Sequence, residues 1–341
     1  MLESNHLTKF VLDNTPRMLS WIDRRIGSPT YGCSDRNFWH YKIVDFPCAM
    51  LQETSLTLAL LYSESFYQNK FYKNKYIKEL IIAQIKYWIK IQNKNGSFDE
   101  FFPNEESFSA TAFTLYSNCL AIELIEEDPK FFKKNASKAC KFLLSYDHPG
   151  ATNQIAAAIA GINRYSILFS DNTFKNDLNN LVKKIIDSSN DEGWNSEYGG
   201  FDAGYESITL AYLADYNLTN KNSVISNNLI KSIEFLSNFI HPDGTVGGIY
   251  GSRNTSFFAP FGFACSIKKS DIASSVINKI FLPENSSVNK SIDDRYICHF
   301  LLPSYLLSIK SLKKSSIKTS KLPYEKIFSE HYFQSGIYIK S

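Results

Sequence analysis

Four short clusters gather the side chains that acid–base chemistry uses. The first, Ser34–Pro47 (SDRNFWHYKIVDFP), packs Asp35, Arg36, Trp39, His40, Tyr41 and Lys42 into eight consecutive positions. A segment so dense in donors and rings is either a structural knot or part of a binding surface. The second is His148–Gln154 (HPGATNQ), which leads into an uncharged apolar run. Thr152 or Asn153 can cap a helix there. Alternatively, the amides of Asn153 and Gln154 can hydrogen-bond a substrate carboxylate. The third is Tyr198–Glu206 (YGGFDAGYE). Asp202, Tyr205 and Glu206 place a phenol beside carboxylates at a helix start, a combination suited to proton transfer. Acids are also favoured there by the helix dipole alone. The fourth is Gly247–Gly262 (GGIYGSRNTSFFAPFG), with Tyr250, Arg253 and Asn254 in a glycine-flanked loop. Arginine offers a planar fork to a carboxylate, whether of a substrate or of the protein itself. His299, in RYICHFLLP, is either a core histidine or a fifth contributor.

These clusters need a scaffold, and the periodicity supplies helices. Ile77–Ile91 (IKELIIAQIKYWIKI) repeats apolar residues at three and four. Ala110–Ile125 follows the start signal Glu105-Glu106-Ser107. Gln154–Leu168 (QIAAAIAGINRYSIL) is apolar on nearly every face and therefore predicts burial on all sides. Leu178–Ile186, Leu229–Ile240, Ile272–Ile280 and His299–Ile309 continue the pattern. Tyr332–Ile339 can form one short strand. Gly, Pro and aromatic breaks near Trp39, Gly96, Gly150, Gly193, Gly244 and His299 recur about every 50 residues, the length of a helical hairpin. Six hairpins predict an all-α (α/α)6 toroid, complete or incomplete, as one domain over residues 1–341. The runs Leu56–Leu61, Ala110–Leu115, Ile155–Ala160 and Ile208–Leu213 are its expected inner helices. Loops such as QNKNGSFDE and DEGWNSEYGGFD, the latter with Trp194, each precede an inner helix and should share one mouth. Aromatic-lined mouths are where ligands bind.

The bulk composition narrows the function. The chain has 341 residues, 44% hydrophobic and 21% charged, with a net charge of +3. That is a globular composition. Its lysines are spread along helices instead of forming the basic face of a nucleic-acid binder, so no nucleic acid is expected. The six cysteines are far apart and form no zinc spacing, so neither metal nor cofactor is expected. The start, MLESNHLTKFVLDN, lacks the pattern of a secretory leader, and no long apolar run is seen. A cytoplasmic location without an integral membrane span is the expectation, with peripheral association left open.

Asp202–Tyr216 (DAGYESITLAYLADY) resembles the D-G-x-x-x-E-x-S-x-x-Y inner helix of heparinase II/III-like proteins, with Ser207 and Tyr212 in comparable places. Asn153–Leu168 is similar to the Asn-led inner helix of the heparinase- and alginate-lyase-type toroids, and the GSRNT loop at Gly251–Thr255 fits the same setting. The Gly and aromatic repeats are also loosely similar to those of terpene cyclases and prenyltransferase β subunits. The lyase resemblance implies that Asn153 neutralises a uronate carboxylate, that Tyr205 or Tyr250 transfers protons and that Arg253 binds the carboxylate. Removing the weakly acidic α-proton demands fixed donors for the enolate charge. The same set supports C5-epimerisation if the proton returns on the opposite face. A toroid inside the cell would act on a glycan or glycolipid precursor during surface-polysaccharide biosynthesis. Three alternatives remain. One is a glycoside hydrolase pairing Asp202 with Asp35 or Glu53. Another is a terpenoid cyclase or prenyltransferase, for which no D-x-D-D motif is present and Asp293-Asp294 is poor support. The last is a glycan-binding toroid without catalysis.

Overall fold

Asn5 starts the first helix with a reciprocal cap, accepting from the Thr8 backbone while the Thr8 hydroxyl oxygen accepts from its own N–H. The computed structural model describes residues 5–147, 150–313 and 318–341. Over these the helices are α1 (His6–Leu19), α2 (Thr54–Ser63), α3 (Lys75–Lys90), α4 (Phe108–Ile125), α5 (Lys130–Ser145), α6 (Thr152–Phe169), α7 (Lys175–Ser188), α8 (Ala203–Asn220), α9 (Ser223–Ser237), α10 (Phe261–Ser266), α11 (Asp271–Val276), α12 (Asp294–Tyr296) and α13 (Leu302–Leu312). The protein is all-α apart from one terminal hairpin.

Two kinds of helix alternate. α2, α4, α6 and α8 are buried along most of their length because small and apolar residues occupy every face. α3, α5, α7 and α9 bury one stripe and expose charged residues on the other side. The buried helices pack in sequence, α2 on α4, α4 on α6, α6 on α8, α8 on α10 and α10 on α13. α13 then packs against α2, so the circuit closes. A close approach of α6 to α4 is permitted by Gly161. A Cβ there would sit 3.2 Å from the Tyr116 nitrogen and 3.3 Å from the Ala112 oxygen of α4.

Each amphipathic helix leads through a loop into the next buried one, which brings these loops, most of them long, to one end. Backbone bonds join neighbouring loops there: Ala49 donates to Asp99, Tyr198 to Gly150, and Ser252 to Phe201. Side-chain caps fix where the buried helices begin, Ser107 for α4 and Asp202 for α8.

Four expectations need correction. The run Phe108–Ile125 is long and apolar enough to cross a membrane, although none was read in the sequence. It is α4, and 83% of it lies buried at the centre of the helical packing. The helix expected from His299 is broken: Ile297–Leu301 form a π-turn, His299 has non-helical torsions (φ −100°, ψ −131°), and regular helix resumes at Leu302. Leu229–Ile240 belongs to a helix that begins earlier, at Ser223, where Asn222 caps it. The single short strand is an antiparallel pair, β1 (Ser329–Tyr332) and β2 (Ile337–Lys340).

Candidate active site

At the loop end the closed circuit encloses a cavity of about 870 Å³. Six of the candidates from sequence line it: Asn153, Gln154, Tyr198, Tyr205, Arg253 and His299. His148 of the second cluster lies outside the described residues. Glu100, Glu105, Asp147, Arg295 and Tyr296 complete the polar wall, and Met50, Phe108 and Phe113 supply apolar surface.

His299 is buried yet borders the cavity. The broken helix around it turns Nδ1 toward Glu53 Oε1, and neither atom has another partner. The other oxygen of Glu53 accepts from Ser117 Oγ at 3.1 Å. Phe113 meets the imidazole edge-on at 4.6 Å between centroids. Burial pushes Glu53 well above the usual carboxyl range and His299 well below its ordinary value. Burial thus disfavours the charged form of each. A single proton shared between Glu53 Oε1 and His299 Nδ1 sets the imidazole tautomer, and the Nε2 lone pair is free only when that proton sits on Nδ1 and Glu53 is a carboxylate. This is the acid–histidine arrangement that fixes the tautomer of a general base.

Arg253 and Tyr205 also line the cavity. The Arg253 guanidinium lies 4.7 Å from the centre of the Tyr198 ring and 6.0 Å from that of Tyr205. Among the described residues no carboxylate comes within ion-pair distance of it. Its backbone N–H donates to Asp202 at 3.1 Å, which holds the loop while leaving the side chain available. Tyr205 is partly buried, packs edge-on against Phe257 and bonds Tyr296 through its phenol. Burial raises it further above the ordinary phenol value.

The amide wall is stiffened from behind. Asn153 donates to Glu197 from its backbone N–H (2.8 Å) and from Nδ2 (2.7 Å). Burial pushes Glu197 up to about 8 despite these two donors. Gln154 donates to the Tyr198 phenol at 3.1 Å. Glu100 is paired with Arg295, accepts from Ser107 Oγ at 3.0 Å, and is raised by burial. Glu105 accepts from the Glu100 and Phe101 backbone N–H groups at 2.9 and 2.7 Å.

The other candidates are placed outside the cavity. Glu206 faces the packing of α8 against α9. It accepts from the Asn195 backbone and side chain, both at 2.9 Å, and burial raises it to about 7. Asp202 caps α8 and accepts from Tyr205 N–H and from Thr255. Asp35 accepts from Asn37 and Cys48 N–H groups, and neither Asp202 nor Asp35 lines the cavity. Tyr250 donates to the Gly247 carbonyl at 2.6 Å and stacks on Phe239. Trp194 donates to Glu192, and Trp39 to the Trp21 carbonyl. Arg36 lies over Tyr41, while His40, Tyr41, Lys42 and Asn254 are exposed. Asp35, Asp202 and Glu206 are buried on backbone and side-chain donors, while His40, Tyr41, Lys42 and Asn254 face solvent.

Sequence reasoning missed Glu100, Arg295 and Glu197, and met Glu53 only as a hydrolytic acid. Arg295 precedes His299 by about one helical turn, so its placement beside the cavity could have been read from that spacing. Glu100 ends the Gly- and aromatic-bearing loop QNKNGSFDE. For Glu53, next to the apolar run of α2, no local signal marks a partner for a residue far along the chain.

No family model and no curated protein matches the chain. A solved structure of a protein from Actinoplanes aligns with a TM-score of 0.41 and 12% identity, covering 77% of this chain and 89% of that chain. A likeness of that size leaves the function to the site's own chemistry.

Proposed function

We propose that the chain is an α/α-toroid enzyme that abstracts the proton next to the carboxylate of a uronate-containing glycan or glycan precursor. The observation that carries this reading is that Glu53-backed His299 and an Arg253 fork without a protein carboxylate line the same cavity. Arg253 takes the substrate carboxylate, and the amide of Asn153 adds a donor as charge builds on it. His299 Nε2 removes the C5 proton. In elimination the C5–H electrons form the C4=C5 bond, the C4–O bond breaks, and Tyr205 gives its proton to the leaving oxygen. In epimerisation Tyr205 instead returns a proton to the opposite face of C5. Tyr205 is the group suited to donate because its raised value keeps the phenol protonated.

The closed packing circuit supports the toroid part of this reading, since it gives every buried helix two buried neighbours. A cytoplasmic role in building surface polysaccharide is part of the same proposal. A hydrolase reading keeps Glu100 and Glu105, but Glu100 is paired to Arg295 and Glu105 is held by backbone donors. The test is incubation with uronate oligosaccharides in heavy water. Solvent deuterium at C5 marks epimerisation, and ultraviolet absorbance of an unsaturated uronate marks elimination. Hydrolysis without either signal contradicts the proposal.

A further inference from the structure

α7 carries a polar stripe that no other part of the protein engages. Asp177, Asn180, Lys184 and Asp187 recur at steps of three and four and so stand on one side of the helix. All four are exposed, and among the described residues none of their side chains makes a hydrogen bond or an ion pair. The stripe faces a gap. The outer helices α3 and α5 pack against each other, and so do α7 and α9, but α5 and α7 make no comparable contact. Between them lies a groove of about 480 Å³, lined by the stripe and by the buried Leu143 and Leu181.

The groove is joined to the cavity. Tyr146, which follows the last residue of α5, lines both. Its ring packs on Phe108 at 5.2 Å and on Phe142 at 5.4 Å between centroids, yet Tyr146 is still 44% exposed. An aromatic ring packed on two neighbours and open to solvent offers a stacking platform to the apolar face of a sugar ring. The hollow beside α3, which Tyr31 and Lys86 help to line, shares no residue with the cavity.

We propose that this groove is a second binding site for the glycan chain, in which sugars beyond the reacting one leave the mouth over Tyr146 and lie between α5 and α7. This rests on the glycan reading of the cavity and narrows the substrate to an extended chain instead of a single precursor sugar. The lining holds two acids, Asp177 and Asp187, and two lysines, Lys183 and Lys184, so it is neither a plain anion site nor a plain cation site. The carboxylates accept from sugar hydroxyls, the Asn180 amide both donates and accepts, and the ammonium groups donate to hydroxyls or to uronate carboxylates. A chain rich in hydroxyls and carrying carboxylates at intervals meets that mixture of donors and acceptors. Its apolar ring faces meet Tyr146.

The experiment is titration calorimetry of the full chain with oligosaccharides of two, four and eight sugars. One series is galacturonate throughout, and the other alternates glucuronate with N-acetylglucosamine. In at least one series the eight-sugar member should bind more tightly than the two-sugar member. The Asn180→Ala/Lys184→Ala double variant should weaken the eight-sugar complex about tenfold, the effect of losing two hydrogen-bonding side chains, and leave the two-sugar complex unchanged. Lys86→Ala, in the hollow beside α3, should change neither. All three are exposed helix positions where alanine is the best helix former, so unchanged circular dichroism should accompany the loss. The proposal is overturned if no oligomer of either series binds, if affinity does not grow with length, or if the double variant holds the eight-sugar chain as the wild type does. Length-dependent binding without deuterium uptake at C5 would uphold the groove and refute the proton chemistry, whereas uptake without length dependence would do the reverse.

Discussion

Glu206 offers a quantitative test of the buried polar framework behind the site. Its folded value is raised from 4.5 to about 7 by burial at the α8–α9 contact. A carboxyl with a raised folded value binds its proton more tightly in the folded than in the unfolded chain. Its stabilising contribution is therefore complete below pH 4.5 and is lost as pH rises through 7. At about 1.4 kcal/mol per unit, the loss across this window is about 3 kcal/mol. Glu206→Gln removes the titration but sets an amide N–H against one of the two Asn195 donors. An unsatisfied buried donor costs about 1 to 2 kcal/mol at every pH. The variant should then be less stable than the wild type at pH 5 and more stable at pH 9. Urea unfolding followed by tryptophan fluorescence measures both, and Trp194 reports on the loop that holds Asn195. A stability difference that stays constant between pH 5 and pH 9 would refute the reasoning, because it would mean that Glu206 is already ionised in the folded chain.

Arg253→Ala should lower kcat/KM for a uronate substrate by at least about tenfold, the effect of about 1.4 kcal/mol of lost charge-assisted bonding. Its melting temperature should hardly change, because the exposed guanidinium has no protein carboxylate to lose. Asn153→Ala should reduce both activity and stability, the latter by about 1 to 3 kcal/mol, since Glu197 loses a donor inside the protein; chemical denaturation checks this. The acid limb of the pH–rate profile should lie below pH 6.5, because the lowered value of His299 keeps its lone pair free in mild acid. Gly161→Val should cost about 1 to 3 kcal/mol by forcing α4 and α6 apart, read as a lower melting temperature.

The helices were legible because their signals are local. The stripe of Ile77–Ile91 and the uncharged run of Gln154–Leu168 each state their own burial, and the regular breaks between them state the hairpin period. Loop order at the mouth followed from the same alternation. Side-chain direction within the loops was not legible. Asp202, Tyr205 and Glu206 are near neighbours in sequence, yet one caps α8, one faces the cavity and one is buried against Asn195. The helical period turns consecutive residues by about 100°, so adjacency in a motif does not mean a shared site. Glu53 and His299 show the converse. They meet only because α13 returns to α2, a contact between the two ends of the circuit that no window of sequence contains.

The central claim is that His299, backed by Glu53, takes a proton from carbon beside a carboxylate. The most direct measurement is deuterium uptake from heavy water at C5 of a uronate substrate, followed by mass spectrometry for the wild type, His299→Ala and Glu53→Gln. The account expects uptake or a matching unsaturated product with the wild type, a loss of at least about a hundredfold with His299→Ala, and a smaller loss with Glu53→Gln. Undiminished exchange in a folded His299→Ala variant would contradict it.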